Sequence, residues 1–439
     1  MRRALVLAYH FPPVGGAGVQ RNAKFVKYLR DFGYDPTVVT GPGRSNDRWA
    51  PQDEVLSRDL PHDVRVERFD GPEPAQSAAR RRAERYLSYP GPWIRWVRSG
   101  MVEAAGRAGG NASIVYASLE PYEIAPAAAE VAKRLGVPWV ADLQDPWALD
   151  EMLVYPSRAH RRIALAAMRR ALRAADAVVM NTPEARHRVL ERFPELNPQR
   201  VVSITNGYDA ADFAAPAPAT PDDGVFRIVH TGYLHTQLGL QHRRTRAIRR
   251  LLGGAMSGVD ILTRSHVYLL QAVENLVKED PDAAGRIEIH LAGVTSDADR
   301  AAAARSPFVH VHGYLPHDQT VELMRQADLL FLPMHKLDGG ARVGIVPGKT
   351  YEYMASGRPI LAAVPAGDVR DFLEAAGTAS ICDPDDVTAM RAIVSAHLQR
   401  KAAGVAGPEL NADAVAQFER RRLTERLAHL FDEVLDGQR

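Results

Sequence analysis

Two glycine-bearing runs carry the spacing that chemistry could use. The first, Pro12-Pro13-Val14-Gly15-Gly16-Ala17-Gly18, follows an apolar stretch from Ala4 to Tyr9 and precedes a helical pattern. Glycines at Gly15 and Gly16 let backbone approach a ligand closely, and free N–H groups at a helix start can meet an anion. A tight strand-to-helix turn with no ligand is the alternative. A dinucleotide cofactor fits poorly, because the next strand ends at Thr40 and not at an acidic residue. The second run is Gly344-Ile345-Val346-Pro347-Gly348-Lys349-Thr350-Tyr351-Glu352, leading into a helix that Ser356-Gly357 stops. Lys349 can pair with phosphate oxygens there, and Glu352, one turn later on the same face, can accept both hydroxyls of a ribose. Read more plainly, Glu352 is a carboxylate complementing the helix dipole. Asp142 and Asp145 stand at or just beyond the end of another apolar run, where they either bind and polarise an acceptor or anchor the loop.

These residues need strands and helices to hold them. Short apolar runs at Ala4 to Tyr9, Thr37 to Thr40, Ser113 to Ala117, Trp139 to Asp142, Ala177 to Asn181 and Val201 to Thr205 read as buried strands. Helical patterns at Val19 to Phe32, Tyr122 to Leu135, Ser157 to Ala174 and Pro183 to Phe193 fill the intervals, so the order predicts an α/β domain with a mainly parallel sheet. A proline-rich stretch from Ala214 to Pro221 predicts a linker. A second series then places strands at Phe226 to Thr231, Ile287 to Ala292, Val309 to His312, Leu329 to Pro333, Ile360 to Ala363 and Ala379 to Cys382. The expected boundaries are 1–212 for the first domain, 213–224 for the linker, 225–411 for the second domain and 412–439 for a closing helix. Within the second, 237–263 reads as an inserted, partly mobile loop, because arginines and Gly253-Gly254 break the repeat.

Composition narrows the partners. A chain of 439 residues suits two or three domains at roughly 150 residues each. Its net charge of +2 gives no global argument for nucleic acid, and one cysteine, Cys382, allows neither an intramolecular disulfide nor a cysteine zinc site. His310-x-His312 shares one face of a strand, but no third metal ligand is apparent. No apolar stretch reaches the roughly 18 residues of a membrane helix, so the expected location is cytoplasmic. Arginines and aromatics interleave from Arg80 through Tyr86, Tyr89, Trp93 and Trp96 to Arg98. That composition reads either as peripheral contact with the inner face of a membrane or as a solvated basic face.

The segment Lys349-Thr-Tyr-Glu352-Tyr-Met-Ala-Ser-Gly-Arg-Pro-Ile resembles the nucleotide-binding segment of family-four retaining glycosyltransferases of GT-B fold. The likeness runs along nearly the whole chain: Pro12 to Gly18 resembles that family's glycine loop, Ala141 to Trp147 its Asp-x-Arg-Asp-Pro-Trp segment, Asn206-Gly207-Tyr208-Asp209 its interdomain motif, and His312-Gly313-Tyr314 its base-recognition loop. The resemblance implies two facing Rossmann-like domains, acceptor mainly on the first and donor mainly on the second. It implies transfer of a sugar from a nucleotide diphosphate to a hydroxyl of a glycan, glycolipid or small molecule, with retention, no cofactor beyond the co-substrate donor and no metal. A lipid-linked acceptor follows from the membrane reading of the Arg80 to Arg98 segment, and the pathways left open are surface polysaccharide, glycolipid and specialised-metabolite assembly, with surface polysaccharide first. Donor contacts are implied for Gly15, Gly16, Gly232, Arg264, Tyr314, Gly344, Ile345, Lys349 and Glu352, and catalytic or acceptor roles for Asp145, Glu352 and Asp142. The pattern departs from the family at three places: Gly344 replaces the first acid of Glu-x7-Glu, Gln144 replaces an arginine, and Tyr233 stands where a further arginine is usual. Two rivals follow from the same residues: a sugar-nucleotide epimerase or sugar-phosphate synthase, and a binding protein that does not turn over.

Overall fold

The computed structural model describes residues 1–44, 52–70, 92–122, 124–216, 223–256 and 258–437, with no account of the side chains of 17, 92–96 and 250. The chain divides into two compact units, Met1–Asn206 with Leu252–Ala255 and Arg420–Arg439, and Gly207–Leu251 with Met256–Glu419.

The first unit is built on β1 (Arg2–Ala8), β2 (Tyr34–Thr40), β3 (Arg65–Arg68), β4 (Ile114–Ser118), β5 (Trp139–Leu143), β6 (Ala177–Met180) and β7 (Val201–Ser203). All pairs are parallel in the order β3-β2-β1-β4-β5-β6-β7. A sheet covered on both faces needs apolar residues along its central strands, and β1 supplies them from Ala4 to Ala8. Ala4, Val6 and Ala8 pack with Phe25 of the helix Ala17–Tyr28 and with Leu423 and Phe431 of the helix Arg420–Asp436. Leu5 and Leu7 point the other way, into a core shared with Met101, Ile124 and Val131. The helix starts are written locally: Thr182 Oγ1 accepts from Ala185 N at 3.0 Å, with Pro183 directly after the cap.

The second unit carries β8 (Phe226–Thr231), β9 (Val259–Asp260), β10 (Ile287–Ala292), β11 (Val309–Gly313), β12 (Leu329–Pro333), β13 (Lys336–Leu337), β14 (Ile360–Ala363) and β15 (Ala379–Cys382). Six of them form a parallel sheet in the order β11-β10-β8-β12-β14-β15, while β9 and β13 pair antiparallel. In both sheets the order reverses beside the first strand, between β1 and β4 and between β8 and β12. Crevices open outside the carboxyl ends of strands at such reversals, and ligands of doubly wound folds bind there.

The α/β class with two mainly parallel sheets is as expected. The segment 237–263 is different. It holds the helices Thr236–Arg244 and Arg246–Leu252, then β9 and a turn of 3-10 helix, Ile261–Thr263. Gly239 permits this packing, because a Cβ there would collide with the backbone of Leu262, and Arg243 Nη2 fastens the helix to Asp260 Oδ2 at 2.6 Å. Residues 412–439 contain two helices: Ala412–Ala416 stays in the second unit, and Arg420–Asp436 returns to the first. Most of the Arg80 to Arg98 constellation and 217–222 of the expected linker lie outside the described residues; Arg98 pairs with Glu130 (Nη2 to Oε2, 2.7 Å).

Candidate active site

In the first unit the glycine loop after β1 is pinned from both sides. Pro13 O accepts from Asp53 N at 2.7 Å, Val14 bridges Gln52, and Arg68 Nη2 donates to Pro12 O at 2.5 Å. Gly16 has φ 112°, a conformation that favours glycine, and the helix Ala17–Tyr28 starts directly after it. A Cβ at Gly18 would displace the side-chain ends of Glu120 and Gln144. Gln144 Nε2 donates to Ser118 Oγ (2.8 Å) and to Gly18 O (3.1 Å), tying the ends of β4 and β5 to the glycine loop. The residue standing in place of the family's arginine thus holds three loops in register.

The aspartates separate by burial. Asp142 is fully buried: Arg21 Nε donates to its Oδ2 at 2.8 Å, Arg21 Nη2 to its Oδ1 at 3.3 Å, and Tyr116 donates its hydroxyl proton to Oδ2. Arg21, itself buried, also donates to Ile204 O (2.8 Å) and Thr205 O (2.7 Å). Asp142 has no exposed surface, and of the two roles the sequence left open its contacts are those of an anchor for the sheet end. Asp145 is only partly buried, in a loop with backbone strain. Trp147 holds φ 46°, an outlier for a bulky residue that costs on the order of 1–3 kcal/mol, and its ring stacks on Tyr122 with centroids 4.9 Å apart. Beside Asp145 lies Glu120, a residue that sequence reasoning passed over. Its side chain is open to solvent while protein crowds it on the remaining sides. That crowding, and next the charge of Asp145, raise its pKa to about 7. A carboxyl held up beside a second carboxylate is the kind of group that can share a proton with it.

In the second unit the ends of β8, β10 and β11 are stitched together by backbone. Gly232 N donates to Ala292 O and Gly293 N to Gly313 O, both at 2.7 Å. Gly232 has φ 87°, and its missing Cβ would sit 3.1 Å from Lys349 Nζ. The lysine therefore lies across the glycine. Lys349 Nζ donates to His230 Nε2 at 3.1 Å, and His230 Nδ1 donates to Phe331 O at 2.9 Å, which sets the imidazole tautomer. Burial pushes the Lys349 pKa well down, the nearby Arg264 cation adds to that, and Glu352 opposes it. His230 is lowered too, first by burial and then by Lys349. The unit thus gathers Lys349, Arg264, Glu352, His230 and Gly232 beside the order reversal. Behind them Tyr353 Oη accepts from Thr231 N at 2.8 Å and fixes the helix Lys349–Ala355 to β8. Gly344 and Ile345 are buried in the loop leading to that helix, and Tyr314 is exposed just past β11. His230 is invisible to a motif search because its role appears only when β8 and β12 pair.

The family models match along the same division. A glycosyl transferase 4-like domain matches residues 15–207, and the glycosyl transferases group 1 domain matches residues 258–400. No curated protein matches the chain in sequence. Among solved structures the chain is similar to Anabaena HepE in complex with UDP and glucose, with TM-score 0.60, 17% identity, and 99% of this chain and 100% of that chain covered. It is also similar to a glycosyltransferase from Rickettsia africae (TM-score 0.61, 13% identity, 99% of each chain). A putative UDP-N-acetylglucosamine 2-epimerase from Listeria monocytogenes shares the architecture at TM-score 0.55 and 15% identity, over 97% of this chain and 94% of that chain. The fold alone therefore spans transferases and an epimerase, and the two domain matches decide between them. With both units matched to glycosyltransferase domains, the chain is a glycosyltransferase of GT-B fold.

Proposed function

We propose that the protein moves a hexosyl group from a nucleoside diphosphate sugar to a hydroxyl of a glycan, glycolipid or small-molecule acceptor, with retention at the anomeric carbon. The observation that carries this reading is the grouping of Lys349, Arg264 and Glu352 beside Gly232 at the carboxyl end of β8. Lys349 and Arg264 meet the charge that develops on the departing diphosphate, and Glu352 accepts the ribose hydroxyls. Gly344 and Ile345 offer backbone to the donor, Tyr314 lies toward the base, and Gly15 and Gly16 leave room for donor backbone contacts. Asp145, with Glu120 beside it, receives the acceptor hydroxyl. Uridine is the first base to test, because HepE is seen with UDP and glucose. We place the reaction in the cytoplasm, with no metal or cofactor at the reacting centre, in assembly of a surface polysaccharide, and the Arg80 to Arg98 segment is the place for peripheral membrane contact.

The test is thermal stabilisation across a panel of nucleoside diphosphates and their sugars, followed by product analysis. A ligand bound by the folded state raises the melting temperature. Glu352→Ala is expected to weaken the selected nucleotide about 10- to 100-fold, in line with loss of about 1.5–3 kcal/mol for hydrogen bonds to a charged group. No stabilisation by any nucleotide would refute the donor site. Gly344, where the family carries a carboxylate, motivates a second reading as a binding protein, which predicts stabilisation with no sugar transferred or altered. A sugar modified without any acceptor would mark an epimerase.

A further inference from the structure

We infer that the outer face of β10 and β11, at the edge of the second sheet, is a binding site for a divalent transition ion, formed by His290 and His312 with His310 in reach and Glu288 behind them. The His310-x-His312 pattern lacks a third ligand in sequence, and the fold supplies it. His290 stands directly across from His310 in the parallel register. The register then slips between Leu291 and Ala292, so that His312 is the additional residue of a bulge. A bulge re-aims a side chain, and here His312 Nε2 comes within 2.9 Å of His290 Nδ1.

The proton arrangement suits a ligand pair. His290 Nε2 lies 3.1 Å from Glu288 Oε2 and donates to it, since a carboxylate only accepts. The lone pair of His290 is therefore on Nδ1, aimed at His312. This is the carboxylate–histidine–metal relation, in which the outer carboxylate sets tautomer and ring orientation. Two imidazole nitrogens on a tetrahedral zinc ion, each about 2.0–2.1 Å from the metal, lie about 3.3–3.4 Å apart, so the pair must part by less than about half an ångström. As it does, His312 moves its proton from Nε2 to Nδ1, remains neutral, and frees the second lone pair.

His310 completes the face. Its ring is stacked on that of His290, with centroids 5.0 Å apart and planes at 22°, and its Nε2 is 3.8 Å from Glu288 Oε1. Both His310 and His312 are exposed, so rotation to bring in a third nitrogen displaces no core packing. Ile287, Ile289 and Leu291 alternate with Glu288 and His290 and are buried on the opposite face, which keeps the strand carrying His290 rigid. Arg227, the nearest cation to Glu288 at 3.5 Å, is already paired with Asp223. Imidazole ligands select zinc, nickel or copper over magnesium or calcium.

The experiment uses the full chain freed of metal, titrated with cobalt(II) and followed by its visible absorption, then displaced by zinc against a chromophoric chelator. The expected result is one ion per chain, lost in His312→Ala and in His290→Asn. Glu288→Gln is expected to weaken it 10- to 100-fold, as loss of an outer carboxylate does. Circular dichroism and the melting temperature of the metal-free variants report whether they fold, and His312→Ala, at an exposed position, is the variant least able to disturb the core. Stoichiometric binding that survives both histidine changes would assign the ion to another of the chain's 15 histidines and overturn the inference. Absence of stoichiometric binding in the unaltered protein would overturn it as well.

Discussion

The ammonium form of Lys349 is disfavoured in the ligand-free protein, because burial has stripped its water and Arg264 adds a like charge. A bound diphosphate reverses both effects. Nucleoside diphosphate binding at a pH between the lowered pKa of free Lys349 and the ordinary lysine range is therefore expected to take up a proton, so its heat will vary with the ionisation enthalpy of the buffer in calorimetry. Lys349→Met should flatten that dependence and weaken binding about 10- to 100-fold, the range for one charge-assisted hydrogen bond. The sign for stability follows from the same shift. The folded pKa lies below the unfolded one, so the unfolded chain binds more protons between them, and stability of the free protein rises with pH through that window. Lys349 and Glu352 were legible in the sequence because both lie within one helical turn. Arg264 was legible only through the family resemblance. His230 and Glu120 were not legible at all: one is a strand residue in an apolar run, and the other an acid before a proline with no motif around it.

At the scale of elements, the loops that carry the site are held by a buried ion pair. Arg21 sits in the first helix, Asp142 at the end of β5, and the carbonyls of Ile204 and Thr205 just past β7, so one guanidinium fixes three elements. Arg21→Met leaves a buried carboxylate without its partner and is expected to cost about 3–5 kcal/mol in urea unfolding followed through the first unit. The buried strands were readable because parallel strands covered on both faces are continuous apolar runs. The edge strand β3, with the sequence Arg65-Val66-Glu67-Arg68, has no such run and was not found. Residues 237–263 misled for the opposite reason. Arginines interrupt the apolar stripe of two short helices, and what holds the first of them is the contact between Gly239 and Leu262, which no local pattern announces.

On the scale of the whole molecule, the chain crosses from the first unit to the second and then returns with its last helix. Leu423, Leu427 and Phe431 of that helix are fully buried against the β1 face of the first sheet, and Arg2 Nη1 pairs with Asp432 Oδ1 at 2.5 Å. Removal of residues 420–439 would uncover that core, at about 1.5–3 kcal/mol for each large apolar side chain exposed. We expect the shortened chain to lose its first unit to limited proteolysis while the second resists, and a soluble, protease-resistant first unit would contradict this. The sequence carried the α/β class, the two series of strands and the lysine and glutamate of the proposed donor site, since burial, turn chemistry and helical spacing are properties of neighbours along the chain. The destination of the last helix, the anchoring of Asp142, the pairing of Lys349 with His230 and the meeting of His290 with His312 were settled only by tertiary structure. Each depends on which strands lie side by side and on where a register slips, and those choices are made by contacts between residues far apart in the chain.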